Sequence, residues 1–137
     1  MLEGHCECRK VSFKVNGEMN QLSHCHCSQC RRLHGAAYGS YACVLKSEFQ
    51  YLTGSNEVKN YASSAGLTRV FCPHCGSNIM AIIKTEPTQL YLAMGLINGE
   101  PIIPDDHHHI YVGSKANWHT ITDDLPQYAE DTIEIEL

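Results

Sequence analysis

Positive charge is scarce in this sequence of 137 residues: 10 Lys and Arg stand against 15 Asp and Glu, a formal net charge of −5. That balance argues against a broad nucleic-acid surface, which is built from clustered basic side chains. Long apolar runs are missing too. None approaches the roughly 18 residues that cross a bilayer, and Met1-Leu2-Glu3-Gly4-His5-Cys6 has no basic segment leading into an apolar one. No internal repeat, linker or low-complexity stretch divides the chain. A single domain over residues 1–137 is therefore expected, cytoplasmic, with no nucleic-acid or membrane partner. Disorder is excluded by composition, since 43% of the residues are hydrophobic and only 18% are charged.

Helical patterning is also thin. Ser28 could cap a turn or two over 29–34, ended by Gly35. Short strands dominate instead. Val11-Ser12-Phe13-Lys14-Val15 alternates apolar and polar before the turn signal Asn16-Gly17. Further strands are expected over 38–45, 49–52, 58–61, 69–72, 78–83 and 90–96, the last two as apolar runs typical of buried strands. Residues 132–137 alternate like a strand, although a terminus can equally fray. The fold class that follows is mainly β, with short antiparallel strands and little helix.

Cysteine, by contrast, is abundant: 8 residues, spaced as Cys6-x-Cys8, Cys25-x-Cys27-x-x-Cys30 and Cys72-x-x-Cys75, with Cys43 alone. Disulfides need an oxidising compartment, and thiols this close together chelate metal well. The C-x-C and C-x-x-C pairs can close a tetrahedral four-thiolate zinc site, structural in role, in which metal binding contributes to folding. Gly76 can take a positive φ, letting the Cys72-Pro73-His74-Cys75 knuckle turn its amides toward the sulfurs. The trio Cys25, Cys27 and Cys30 is one ligand short. On an extended chain, His24 and His26 point away from the face that Cys25 and Cys27 share. His34, four residues beyond Cys30, and Cys43 remain candidate fourth ligands. A three-thiolate zinc with an open position is a weak Lewis acid that suits an incoming thiolate. A second structural zinc completed by a distant residue is the competing expectation.

Taken in order, these motifs resemble the glutathione-dependent formaldehyde-activating enzyme family, also called the centromere-protein-V domain family. The resemblance rests on Gly4-His5-Cys6-Glu7-Cys8, Cys25-His26-Cys27-Ser28-Gln29-Cys30-Arg31 and Phe71-Cys72-Pro73-His74-Cys75-Gly76-Ser77. Softer matches are Leu52-Thr53-Gly54-Ser55 with Tyr61, His109-Ile110-Tyr111-Val112 with Ser114-Lys115 and Trp118, and Leu125-Pro126-Gln127-Tyr128. It implies a zinc-stapled β-tent holding two Zn²⁺: a structural one on Cys6, Cys8, Cys72 and Cys75, and a catalytic one on Cys25, Cys27 and Cys30. The family's reaction joins formaldehyde to glutathione as S-(hydroxymethyl)glutathione, formally carbon–sulfur lyase chemistry. It implies a small glutathione-like thiol as substrate. Where the family often has glycine after the first C-x-C, this chain has Arg9-Lys10.

For the substrate, Arg31 and Arg32 could pair with peptide carboxylates, and His34 and Tyr38 are candidate proton donors. His107-His108-His109 is expected in a loop or behind a ligand site. Trp118 is expected in core packing. Two rival functions stand beside the enzyme: a non-catalytic zinc module for protein binding, and a thiol redox or metal-buffering protein.

Overall fold

A computed structural model describes residues 1–133 and 135. Ten strands follow one another as β1 (Leu2–His5), β2 (Ser12–Val15), β3 (Gln21–Cys25), β4 (Gly39–Leu45), β5 (Phe49–Thr53), β6 (Lys59–Ser64), β7 (Leu67–Phe71), β8 (Asn78–Ile83), β9 (Gln89–Ala93) and β10 (His107–Ile110). The one α-helix among the described residues, α1 (Ser28–His34), joins β3 to β4. A 3-stranded sheet has the order β1-β2-β5, and a 7-stranded sheet the order β10-β3-β4-β9-β8-β7-β6. All pairs are antiparallel except β10 with β3, where Ile110 lies opposite Cys25.

Strand alternation explains why the large sheet is apolar on both faces. From β4, Ala42 and Val44 join the main core with Phe13 and Val15 of the small sheet, while Tyr41 and Cys43 point into a second cluster. From β9, Leu90 and Leu92 take the first side and Tyr91 the second. The first four-cysteine set abuts the main core, for Cys6 and Cys72 belong to it, fully buried. The trio belongs to the second cluster through Cys25 and Cys30, with Cys27 packed against it.

The mainly β expectation holds, with local differences. The α1 cap is Cys27 rather than Ser28: the Cys30 amide donates to the Cys27 sulfur at 3.3 Å, and Gly35 ends the helix. The strand expected over 90–96 stops at Ala93, where a 3-10 turn over Met94–Leu96 begins. His107–Ile110 is a strand, not a loop. Its parallel pairing with β3 is long-range, and local turn signals do not report it. The strand expected over 132–137 falls partly outside the described residues, and Thr132, Ile133 and Ile135 are not in strand. Trp118 is 69% exposed and thus outside the core. No helix among the described residues is long and apolar enough to cross a membrane.

Candidate metal centres

The first centre is built from two backbone turns. After β1, Cys6 and Val11 close a turn in which the Cys6 amide donates to the Val11 carbonyl at 3.0 Å and the Val11 amide donates to the Cys6 sulfur at 3.4 Å. Arg9 sits inside that turn at φ 66°, a left-handed backbone that favours glycine. It is the first of the two residues, Arg9-Lys10, that stand where the resemblance leads one to expect glycine. In the second turn Gly76, at φ 79°, donates its amide to the Cys72 carbonyl at 2.8 Å. The two turns lock through Ser77, whose hydroxyl accepts from the Glu7 amide at 3.0 Å and from the Cys75 thiol at 3.3 Å.

One sulfur atom from each of Cys6, Cys8, Cys72 and Cys75 lies within 4.8 Å of the others. Cys6 to Cys8 is 3.6 Å and Cys8 to Cys72 is 3.8 Å. A tetrahedron with Zn–S bonds of about 2.3 Å has edges of about 3.8 Å, so these two distances match one and the group is consistent with zinc.

The second centre hangs on the end of β3. Cys25, Cys27 and Cys30 also bring their sulfurs within 4.8 Å of one another. Above them opens a cavity of about 190 Å³, floored by the trio and walled by Tyr41, Leu67, Arg69, Ile83, Tyr91 and Tyr111. Arg69 is buried at 5% exposure. It donates to Tyr41 Oη at 2.8 Å, to Gln29 Oε1 at 2.8 Å, to Ser63 Oγ at 3.3 Å and to Cys30 Sγ at 3.6 Å. The Tyr41 hydroxyl in turn donates to Cys30 Sγ at 3.4 Å. With that proton spent on sulfur, His34 Nε2, 2.9 Å from Tyr41 Oη, must be the donor in their contact. Hydrogen bonds from the Cys25 and Cys27 thiols, then the Arg69 charge and the Tyr41 hydroxyl, hold the Cys30 thiol far below its ordinary range. The Cys25 thiol is correspondingly pushed up, by its hydrogen bonds to Cys27 and Cys30 and by burial.

The predicted neighbours of the trio divide. His34 is tied to Tyr41 and does not join the sulfur group. Cys43 points its thiol at Gln89 Oε1, 2.7 Å away. Arg31 and Arg32 do not line the cavity, and Arg32 is exposed. Tyr38 sits on the opposite side of β3, against the rings of His24 and His26. There the strand pairing brings His24 Nε2 to 2.8 Å from His107 Nε2, and His26 Nε2 to 2.8 Å from His109 Nδ1. The Asp123 carboxylate accepts from His109 Nε2 at 3.0 Å. Burial, and then the neighbouring imidazoles, lower both His24 and His26 to about 4, so these rings are neutral at physiological pH.

Arg69, Tyr41 and Tyr111 escaped sequence reasoning. A signal for Arg69 existed: it is the single charge in the otherwise uncharged strand Leu67-Thr68-Arg69-Val70-Phe71. Buried charges are held by specific partners.

The sequence model of the family described as glutathione-dependent formaldehyde-activating enzyme matches residues 1–114. The chain belongs to this formaldehyde-activating family. An uncharacterized lyase of Schizosaccharomyces pombe is 32% identical over 97 residues, covering 71% of this chain and 69% of its own. A Halomonas elongata protein, named as a candidate glutathione-dependent formaldehyde-activating enzyme, is 29% identical over 126 residues, covering 86% and 79%. A crystal structure of a Rhodobacter sphaeroides protein shares the fold, with a TM-score of 0.60 at 19% identity over 74% of this chain and 97% of that one. Membership and the lyase-named relative support a lyase-type enzyme. The glutathione-dependent family implies a thiol substrate, and the two cysteine groups are consistent with zinc.

Proposed function

We propose that this protein is a zinc-dependent carbon–sulfur lyase-type enzyme that forms or cleaves an S-hydroxymethyl-type adduct between a small aldehyde such as formaldehyde and glutathione or a related thiol. The observation that carries the reading is the trio of sulfurs set in the floor of a cavity, with no fourth ligand side chain among the described residues. Cys6, Cys8, Cys72 and Cys75 take the structural role, and Cys25, Cys27 and Cys30 the catalytic one. Zinc on the trio would supply an open coordination position that holds an incoming thiol as its thiolate.

The chain's own residues do the rest. Leu67, Ala81, Ile83 and Ile110 give the cavity apolar walls that exclude water from the reacting atoms. About 190 Å³ falls below the roughly 300–1,000 Å³ of pockets that enclose drug-sized ligands, so the cavity takes the sulfur end of the thiol and the aldehyde. The remainder of a tripeptide would lie outside the cavity, and Arg31 and Arg32, which do not line it, stay candidates for its carboxylates. Of the proton-donor candidates, His34 is screened by Tyr41 and Tyr38 is on the far side of the strand. We assign the donor role to Tyr111 instead. It lines the cavity, and burial pushes its phenol up to about 12, so it is protonated at neutral pH and can hydrogen-bond the oxygen that gains charge as the C–S bond forms. Its backbone is left-handed at φ 57°, an unfavourable conformation for a non-glycine residue and of the kind that clusters at functional sites.

Native mass spectrometry with and without glutathione, paired with exchange NMR of formaldehyde and glutathione, tests the reading. Two zincs, a retained thiol and accelerated adduct exchange are expected, and Tyr111→Phe should slow exchange while keeping both zincs. Two zincs with no thiol retained and no acceleration would sink the enzyme and favour a binding module.

A further inference from the structure

Arg69 raises an electrostatic question. Its guanidinium is buried, and no carboxylate of the described residues pairs with it within ion-pair distance. Its partners are a phenol, a carboxamide, a hydroxyl and one sulfur. A buried charge whose one anionic neighbour is the Cys30 sulfur depends on that sulfur group for its compensation, and Arg does not escape by losing its proton. The trio has the complementary deficit: three thiolates around a divalent cation carry one net negative charge, and a thiolate arriving in the cavity adds a second. We propose that Arg69 is the built-in counter-charge of the Cys25/Cys27/Cys30 centre, a positioning residue that neutralises the metal-loaded trio and keeps it receptive to an anionic ligand.

The geometry supports more than simple proximity. Both donors, Arg69 Nη2 and Tyr41 Oη, converge on Cys30. The same guanidinium reaches Gln29 on α1 and Ser63 on β6, with Arg69 itself on β7. One side chain therefore joins the helix that carries Cys30 to the sheet that walls the cavity. Partners of this kind behind a metal ligand typically contribute 10- to 100-fold to metal affinity.

The test uses full-length protein loaded with two zincs, titrated with a chromophoric chelator. Arg69→Met should weaken the second zinc by about 10- to 100-fold and leave the first unchanged. Arg69→Lys keeps the charge without the fork and should recover most of that loss. Cobalt in place of zinc gives a readout that packing alone would not move. Removing the positive charge raises the sulfur lone pairs, so the thiolate-to-cobalt band of Arg69→Met should shift to longer wavelength while that of Arg69→Lys stays near wild type. If Arg69→Met does not fold, Arg69→Gln, which keeps a polar side chain without the charge, should still loosen the second zinc with the first retained. A second zinc held within twofold of wild type in Arg69→Met, or equal losses in Arg69→Met and Arg69→Lys, overturns the proposal. In the Arg69→Gln arm, an unchanged second zinc does the same. The inference rests on the trio as a metal seat, not on turnover. Wild-type protein that binds two zincs but no thiol refutes the proposed function and leaves Arg69 standing.

Discussion

The two cysteine groups should differ sharply in what they do for the fold, and Cys8→Ser against Cys27→Ser measures the difference. Cys8 is exposed, so its substitution removes a ligand without opening a cavity. It lies 64 residues from Cys72, and the metal between them closes a loop of that length. A cross-link over such a loop removes about 4 kcal/mol of unfolded-chain entropy. The trio spans one turn of chain, and a cross-link over about five residues removes about 2 kcal/mol. For a chain of this size each kcal/mol moves the melting midpoint by about 3–5 °C. Cys8→Ser should therefore lower the midpoint by about 12–20 °C, and Cys27→Ser by no more than about 10 °C. The assay is thermal unfolding by circular dichroism, with zinc per chain measured by native mass spectrometry on the same samples. Equal losses, or a larger loss for Cys27→Ser, would refute the division into a stapling group and a reactive one.

Other outcomes follow from packing and backbone. Phe13 is fully buried between the sheets, its ring centroid 5.5 Å from that of Phe49, so Phe13→Ala should cost about 3–5 kcal/mol in urea unfolding. Arg9→Gly relieves a left-handed backbone that costs a side-chain-bearing residue about 1–2 kcal/mol, offset by about 0.5–1 kcal/mol of glycine entropy. Stability should hold or rise slightly, and a clear drop in midpoint would contradict the strain. Trp118→Ala, at a side chain 69% exposed and off the cavity, should leave stability within about 0.5 kcal/mol and thiol retention unchanged.

Much of the site was legible because cysteine spacing is local chemistry. C-x-C and C-x-x-C place sulfurs together whatever the rest of the chain does, and the opposite facing of His24 and His26 follows from strand alternation alone. The surroundings were less legible because long-range pairing makes them. Arg69 reaches Cys30 across 39 residues, and the histidine contacts across β3 and β10 span 83. Nothing near Tyr38 in the chain says which side of β3 it will face, and position beside the trio proved a poor guide to contact. Arg9 shows the reverse case, a departure visible in the sequence whose meaning, a left-handed residue inside the Cys6 turn, needed the backbone.

The parallel seam between β3 and β10 also sets an order of events during synthesis. The Cys25 end of β3 is completed by Ile110, whose carbonyl accepts the His26 amide at 3.0 Å. At about 5–20 residues per second, the ribosome needs roughly 4–17 s after Cys25 to deliver that partner. The Cys72–Cys75 knuckle is made well before it. The first cysteine group can therefore close while the trio still lacks its cavity wall, and the nascent chain is stapled before it is equipped to react.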